Sequence, residues 1–436
     1  MERSGYYLAP LQGIGSGDAS DELKYKSLLA CESSMAKLAV KGGKPVRKKA
    51  FPSWPIFDGR EKKALLDVLN SGKWGIGGKR NEEFAAKFAA SHQAKFGVTC
   101  TSGTTGLILA LKAAGIGYGD EVIVPPYTFI ATATAALSVD AIPVFVDIDA
   151  RTYNLDADLL EQAITPKTKA IIPVHIGGGP AHMDKIMNVA TNHNLFVIED
   201  ACQAHGAEWK GRKVGAIGHM GVFSFQSSKN INAGEGGIVL SNDEDLAEKV
   251  WSYMNVGRSR KGEWYEHAVL GWNYRMSEFQ GGLLIAQLTR MERFMRIRER
   301  NAEYLAKRIG QIQGIEHVGS YPETTRHAYH LFLMRYDSAQ FGGLPRQKFI
   351  AALNAEGIPV SPGYATGPLY RMRAIAEYRI PGLVLDYSRT FQPVCERACN
   401  EEGMWLGQTV LLGSKKDMDD IADAILKVKD NVSELL

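Results

Sequence analysis

The chain has 436 residues, with 51 lysines and arginines against 48 aspartates and glutamates, for a net charge of +3. This near balance provides no strong field for nucleic acid or an acidic membrane surface. Apolar residues make up 45% of the chain, yet no apolar run reaches the roughly 18 residues that a membrane span needs. The five cysteines lack paired CxxC spacing, so neither a disulfide framework nor a metal site is indicated. We therefore expect a soluble, cytoplasmic protein.

The order of the predicted elements indicates the fold class. Residues 1–40 mix glycine, serine and charge without an apolar pattern, and we interpret them as a flexible leader. From about residue 60, β-branched segments alternate with helical ones, which predicts an α/β fold with a mostly parallel sheet flanked by helices. Seven segments have strand character: 97–101, 121–125, 143–148, 170–174, 195–199, 221–225 and 237–241. The last two follow each other without a crossover helix, so we expect the sheet to be mixed there.

Beyond residue 277 the pattern changes to long helices, and one helix is predicted over 277–309. A strand at 330–335 and a closing helix at 417–428 then predict a smaller α+β region. We therefore expect two domains, a large one over 41–300 and a small C-terminal one over 301–436.

A Gly/Thr-rich turn is the first candidate site. The segment TSGTTG, residues 101–106, lies between a predicted strand and an apolar helix. Free backbone N–H groups and the positive end of the helix dipole suit such a turn to a phosphate. Gly103 and Thr104 lie at the centre of the turn. An ordinary helix cap is the alternative interpretation.

An acidic residue at a strand end is the second candidate. Asp200 closes the segment FVIED and is followed by ACQAHG. A carboxylate at the carboxyl end of a buried parallel strand faces the crevice in which such sheets bind ligands. Asp200 could pair with a charged ring nitrogen, and Gln203 could donate a hydrogen bond to a neighbouring oxyanion. A helix-capping role is the alternative.

A lysine in the segment FSFQSSKN is the third candidate, because it lies between an apolar strand and the glycine-rich turn AGEGG. Partial burial would lower the pKa of Lys229 and yield the neutral amine that imine chemistry needs. Ser224, five residues earlier, could reach a phosphate at the same site. A solvated surface lysine is the alternative.

The three candidates together provide a phosphate cradle, an acid for a protonated pyridine and an amine nucleophile. Pyridoxal phosphate is the cofactor that needs all three, since it carries a phosphate, a pyridine nitrogen and an aldehyde. The glycine-rich fingerprints of nicotinamide-binding and P-loop proteins are absent, as is the HExxH motif of zinc peptidases.

With these residues in view, the chain from about 45 to 430 resembles the DegT/DnrJ/StrS family of sugar and cyclitol aminotransferases, which have the aspartate aminotransferase fold. The resemblance lies in TSGTTGLILAL, DEVIVPPYTFIATA, PVFVDID, IIPVHIGG, VIEDACQAHGA, FSFQSSKN with AGEGG, and LGWNYRMSEFQGGL. It implies that Lys229 forms the Schiff base with pyridoxal phosphate and moves protons. It also implies that Asp200 pairs with the ring nitrogen and that Gln203 contacts the ring hydroxyl.

The resemblance assigns further residues to the cofactor. Gly103, Thr104 and Ser224 match its phosphate-binding positions, and Phe129 matches the aromatic residue that stacks on the ring, although plain core packing is an alternative for Phe129. Asn273 matches an asparagine that reaches the phosphate of the neighbouring subunit, which implies a homodimer with shared active sites. For Arg275, substrate contact and a structural salt bridge both stay open. His175 and His205 are interpreted as structural histidines.

The implied activity is a ping-pong aminotransferase that takes an amino group from L-glutamine or L-glutamate and passes it to a keto-cyclitol or keto-sugar, as in antibiotic biosynthesis. Segments such as AFPSWPIFDGRE look closest to the branch of 2-deoxy-scyllo-inosose aminotransferases and aminohydroxybenzoate synthases. A nucleotide-linked keto-sugar is the alternative substrate. A dehydratase or aromatising synthase and a non-enzymatic regulatory protein are alternative functions.

Overall fold

A computed structural model describes residues 37–436, so all but the last four residues of the predicted leader lie outside the described part. This part of the chain forms fourteen strands: β1 Phe96–Cys100, β2 Glu121–Val124, β3 Ile142–Phe145, β4 Thr168–Ile171, β5 Phe196–Asp200, β6 Glu208–Trp209, β7 Arg212–Lys213, β8 Met220–Ser224, β9 Gly237–Ser241, β10 Ile315–His317, β11 Thr324–Arg326, β12 Leu331–Tyr336, β13 Val360–Ser361 and β14 Gly403–Gly407.

Thirteen α-helices accompany these strands in the described residues: α1 Gly59–Ser71, α2 Arg80–Ser91, α3 Gly103–Ala113, α4 Ala131–Leu137, α5 Leu160–Ala163, α6 Met183–Asn192, α7 Glu244–Met254, α8 Glu278–Leu288, α9 Met291–Ile309, α10 Arg346–Ala355, α11 Arg373–Ala376, α12 Pro393–Arg397 and α13 Lys415–Asp430. None of the helices in this part of the chain is both long enough and apolar enough to span a bilayer.

The seven predicted strands form one sheet in the order β1-β9-β8-β5-β4-β2-β3. The pairs β2–β3, β2–β4, β4–β5 and β5–β8 are parallel, whereas β9 is antiparallel to both β1 and β8. The predicted α/β class and the mixed end of the sheet are therefore confirmed. Because β1 and β8 both oppose β9, the carboxyl ends of β1, β5 and β8 meet at one edge of the sheet.

Apolar side chains from both faces of this sheet form two cores. The face towards α2, α6 and α8 buries Phe84, Phe88 and Phe223, and the other face packs against α3, α4 and α7. Helix α3 is apolar nearly all round because it lies between the sheet and a second layer of helices. Its N-terminus is thereby fixed beside the carboxyl ends of the strands.

A second sheet, in the order β10-β12-β14-β13, carries its own core against α9, α10 and α13. The first described residues also pack here, since Leu38 is fully buried in that core. Arg47 donates to Asp417 at 2.6 Å and to Asp420 at 2.8 Å. The division into domains at residue 300 stays a prediction, and α9 runs across that position.

The single helix predicted over 277–309 is wrong, because α8 ends at Leu288 and α9 begins at Met291. Arg290 lies in the break, and its buried guanidinium pairs with Glu61 of α1 and with Asp58 at 2.8 Å. The apolar spacing is the same before and after the break, so the sequence pattern does not show where one helix ends and the next begins. The ion pair of Arg290 lies at this position and joins residues that are far apart in the sequence.

Candidate active site

The carboxyl ends of β1, β5 and β8 bring most of the predicted site residues together. Gly103 begins α3 just after β1, Asp200 ends β5 and Ser224 ends β8. A Cβ added to Gly103 would lie 2.9 Å from the Cβ of Ser224 and 2.7 Å from the sulfur of Cys202. The start of α3 therefore approaches β8 so closely that a side chain at residue 103 does not fit without displacement.

The first turn of α3 has a capped N-terminus and also contains backbone N–H groups that the cap does not use. The side chain of Ser102 accepts a hydrogen bond from Thr105 N–H at 3.1 Å, and the hydroxyl of Thr105 accepts one from Ser102 N–H at 3.0 Å. The capping alternative is thus correct for Ser102. Gly103 and Thr104 are the first two residues of the helix, so the helix has no carbonyl four residues before them to accept from their N–H groups, and these groups stay available to an anion.

Asp200 is buried at the end of β5 and is held by neutral donors. Thr132 donates to its Oδ2 at 2.8 Å, and the N–H of Cys202 donates to its Oδ1 at 3.2 Å. No ion pair within residues 37–436 involves Asp200. A buried carboxylate without a cationic partner is suited to a charged ligand nitrogen.

Lys229 lies close to this carboxylate in the turn after β8. Its backbone N–H donates to Gln226 O at 2.9 Å, which closes the turn. Burial lowers the pKa of the Lys229 amine, and the nearby Cys202 and Asp200 oppose that shift. The residue is half-buried, so it is not a fully solvated surface lysine, and a neutral amine is more accessible here than on an exposed lysine.

Gln203 follows Asp200 by three residues and bridges two loops. Its Oε1 accepts from Gly177 N–H at 2.8 Å, and its Nε2 donates to the hydroxyl of Tyr364 at 3.4 Å. Tyr364 is one residue that sequence reasoning missed, because the contact joins positions 161 residues apart. Thr132 is another, although its position four residues after Thr128 at the start of α4 is a local signal.

Phe129 and Asn273 are not part of this buried group in the single chain. The ring of Phe129 is 60% exposed, so the core-packing alternative is wrong for it. Its segment nevertheless reaches the site, since Thr132 contacts Asp200. Asn273 is exposed and lines a cleft of about 540 Å³ with Trp74, and neither Asp200 nor Lys229 lines that cleft.

Two sequence-level questions about neighbouring residues are also answered. Arg275 donates to the amide oxygen of Asn255 at 3.0 Å, and within the described part of the chain it forms no ion pair. His175 and His205 are fully buried and hydrogen-bonded, as predicted for structural histidines. The ring of His175 lies 3.0 Å from Glu199, and that of His205 lies 2.9 Å from Ser224 O.

The donor set fits pyridoxal phosphate. The close approach of Gly103 to Ser224 puts backbone N–H groups and a hydroxyl together, which suits a phosphate. Within residues 37–436 Asp200 has no ion pair, and the half-buried Lys229 supplies an amine whose pKa burial lowers. A mostly parallel sheet with this site at the carboxyl ends of β1, β5 and β8 fits an α/β enzyme that uses this cofactor.

The comparison with known proteins gives the family. Residues 55–426 match the DegT/DnrJ/EryC1/StrS aminotransferase family, and the chain belongs to it. It is accordingly a pyridoxal phosphate-dependent aminotransferase. The confirmed prediction covers the fold, the cofactor and the type of enzyme.

Three relatives illustrate the similarity. The chain is 38% identical to L-glutamine:2-deoxy-scyllo-inosose aminotransferase of Streptoalloteichus tenebrarius, over 91% of this chain and 99% of that protein. It is 33% identical to 3-amino-5-hydroxybenzoate synthase of Amycolatopsis mediterranei, over 86% and 98%. The crystal structure of a 3-amino-5-hydroxybenzoic acid synthase superposes with a TM-score of 0.81 at 32% identity, over 89% of this chain and all of that one.

Proposed function

We propose that this aminotransferase moves the amino group of L-glutamine to the ketone of a free cyclitol of the 2-deoxy-scyllo-inosose type. The observation that carries the transfer chemistry is the buried Lys229 amine beside the buried Asp200 carboxylate. The Streptoalloteichus relative, which is named for this donor and this ketone and aligns over nearly all of both chains, supports the choice of substrates.

Pyridoxal phosphate, when bound, supplies an aldehyde that takes up amino groups and a ring that delocalises negative charge. Lys229 is the amine that holds the cofactor and then carries a proton between substrate and cofactor carbon atoms. Because burial lowers its pKa, a larger fraction of Lys229 is neutral near pH 7 than of an exposed lysine, and only the neutral amine accepts a proton. Asp200 stabilises positive charge on the ring nitrogen, since its carboxylate forms no ion pair within residues 37–436.

The remaining residues hold and orient the cofactor in this proposal. The N–H groups of Gly103 and Thr104 and the hydroxyl of Ser224 bind the phosphate. Gln203 donates to the ring oxygen, and its bond from Gly177 N–H fixes its amide so that Nε2 is the donor. Phe129 stacks on the face of the cofactor ring. Its side chain is exposed in the single chain and is therefore available for this contact.

We also propose a homodimer with shared active sites, in which Asn273 reaches the phosphate of the partner subunit. The exposure of Asn273 and the lack of a hydrogen bond from it to Asp200 or Lys229 in the described chain support this arrangement. A cofactor domain over 41–300, a small domain over 301–436 and a cytoplasmic location belong to the same proposal. Four free cysteines in the described residues support a reducing compartment.

Two half-reactions test the choice of substrates. The holoenzyme is incubated with L-glutamine, L-glutamate or L-alanine, and then 2-deoxy-scyllo-inosose or a nucleotide-linked keto-sugar is supplied to the aminated form. We expect conversion with L-glutamine and an aminated cyclitol that keeps every other hydroxyl. A product that has lost hydroxyls or become aromatic would instead identify an eliminating or aromatising enzyme, and amination of the nucleotide sugar alone would overturn the cyclitol assignment.

Mixing two inactive variants tests the shared site. Lys229→Ala and Asn273→Ala each disable both sites of their own homodimer, whereas their heterodimer contains one site with both native residues. Random exchange should therefore restore about a quarter of the wild-type activity. If the mixture stays inactive although subunit exchange is verified, Lys229 and Asn273 of one subunit serve the same site.

A further inference from the structure

The residue after the cofactor lysine is tied to a distant segment of the chain. Asn230 is 2% exposed, and its Nδ2 donates to Ala328 O at 2.8 Å. Its Oδ1 lies 3.1 Å from Nδ1 of His330. Since Oδ1 can only accept, Nδ1 of His330 carries the proton in this bond. Burial and the nearby positive charge of Lys229 keep the pKa of His330 well below its ordinary value, so the ring is neutral.

The same segment contacts the loop that holds Gln203. The N–H of Ala328 donates to Gly178 O at 2.9 Å. A Cβ added to Gly178 would lie 2.8 Å from Gln203 O and 2.9 Å from the Cβ of Ala328. Gly177, next to it, donates to the Gln203 side chain. The segment 327–330 thus joins the turn of Lys229 to the loop of Gln203.

The backbone of this segment adopts a conformation that a bulky residue rarely takes. Tyr329 has a φ of +47°, in the left-handed region. Its N–H donates to Nδ1 of His327 at 2.8 Å, and the two rings stack with centroids 4.0 Å apart. Such a conformation persists only where the surroundings fix it from several sides, and here the bonds of Asn230 and Gly178 do so.

We propose that Asn230 is a positioning residue, which sets the direction of the Lys229 amine by anchoring its turn to Ala328 and His330. The proposal rests on the proposed role of Lys229. Asp200, Cys202, His205 and His330 all lie close enough to the amine to interact with it electrostatically. A small rotation of the turn moves the amine between these neighbours and away from the atoms with which it exchanges protons.

The experiment compares Asn230→Ala with a matched control in the same loop. Asn232→Ala also removes a buried amide. Among residues 37–436, however, Nδ2 of Asn232 has no hydrogen-bond partner, and its Oδ1 accepts only a 3.3 Å bond from Gly234 N–H. A second pair of variants changes His330, the other partner in the hydrogen bond of Asn230 Oδ1. His330→Asn keeps an N–H donor near the Nδ1 position, whereas His330→Phe keeps the ring volume and removes the donor.

The main measurement is the pH midpoint of the visible absorbance band of each holoenzyme, which requires the cofactor but no amino donor. We expect Asn230→Ala and His330→Phe to shift the midpoint by about half a unit or more, because the amine moves relative to the charges around it. We expect Asn232→Ala to have the wild-type midpoint and His330→Asn to have a midpoint closer to the wild type than that of His330→Phe. The kcat for glutamine should fall on the order of tenfold to hundredfold in the first two variants at nearly constant KM.

Unchanged midpoints in both Asn230→Ala and His330→Phe would overturn the proposal and leave Asn230 a purely structural residue, whatever their thermal stability. If Asn230→Ala does not fold, the two His330 variants decide the question, because equal midpoints in them contradict the proposal. A wild-type enzyme that shows the band but ignores every donor refutes the proposed function alone, and the midpoints still decide the role of Asn230.

Discussion

Replacing Gly103 by alanine tests the phosphate cradle at the start of α3. Gly103 is the first residue of that helix, and an added Cβ would lie 2.7 Å from the sulfur of Cys202 and 2.9 Å from the Cβ of Ser224. Carbon atoms in ordinary contact are about 3.5–4.0 Å apart, so the groups must separate by roughly 1 Å. That movement parts the hydroxyl of Ser224 from the N–H groups of the helix.

The magnitude follows from this overlap. Overpacking by one methyl group in a close-packed region costs about 1–3 kcal/mol. The empty site can relax, but the phosphate requires both groups at once, so the cost falls mainly on the bound form. Because 1.4 kcal/mol corresponds to a factor of ten, the affinity for pyridoxal phosphate should fall about 5- to 150-fold.

The assay titrates the apoenzyme with pyridoxal phosphate and follows the absorbance of the complex. Gly59→Ala is the matched control, because Gly59 is also the first residue of a helix and its added Cβ meets nothing within 4 Å. Its affinity should equal that of the wild type. If Gly103→Ala binds the cofactor within about twofold of the wild type, the cradle is not where we place it.

Three further predictions concern charge. Asp200→Asn keeps the shape of the side chain but removes its charge, so single-turnover conversion with L-glutamine should slow on the order of a hundredfold or more. Burial lowers the pKa of His92 to about 3, whereas the same histidine in the unfolded chain titrates near 6.5. As the pH falls below about 6.5, the unfolded chain therefore binds a proton that the folded chain does not, and the free energy of unfolding decreases. Urea unfolding between pH 6 and 4 should show His92→Gln reducing this dependence by about 1.4 kcal/mol per pH unit. Arg47→Met leaves the buried Asp417 without a cation and leaves Asp420 with Lys416 alone, and it should cost about 3–5 kcal/mol of unfolding free energy.

Exposed counterparts provide the controls for the two stability predictions. His193 lies at the surface beside Glu161, and His193→Gln is the matched control for replacing a histidine that is not buried. Arg373 and its partner Glu377 are both exposed, and Arg373→Met should change the unfolding free energy by about 0.5 kcal/mol or less. Equal slopes in the His92 and His193 variants, or equal losses in the Arg47 and Arg373 variants, would contradict the account of buried charge.

The sheet could be predicted because its strands are buried on both faces. Such strands are short β-branched runs with turn residues between them, and each of the seven predicted runs is a strand of the sheet. The mixed end was visible from the short connection between β8 and β9. The break between α8 and α9 was not, because the ion pair of Arg290 with Glu61 that fixes it joins positions far apart in the sequence.

The site also contains residues that the local sequence pattern predicts and residues that it does not. The positions of Gly103, Asp200 and Lys229 could be predicted because each lies at or just after the end of a strand, and these strands end at the same edge of the sheet. Tyr364 and the segment 327–330 could not, since they reach the site from other loops through contacts that no local pattern encodes. Thr132 was missed although its spacing from Thr128 is a local signal.

The central claim is that Lys229 holds the cofactor and performs the transfer of the amino group. The most direct measurement is the absorbance spectrum of the wild type, Lys229→Ala and the control Lys213→Ala, each with pyridoxal phosphate, before and after addition of L-glutamine. Lys213 is also partly buried, but it pairs with Glu208 at 2.6 Å. We expect a visible band that glutamine converts in the wild type and in Lys213→Ala, and no conversion in Lys229→Ala. Full conversion in Lys229→Ala, or no band in the wild type, would contradict the account.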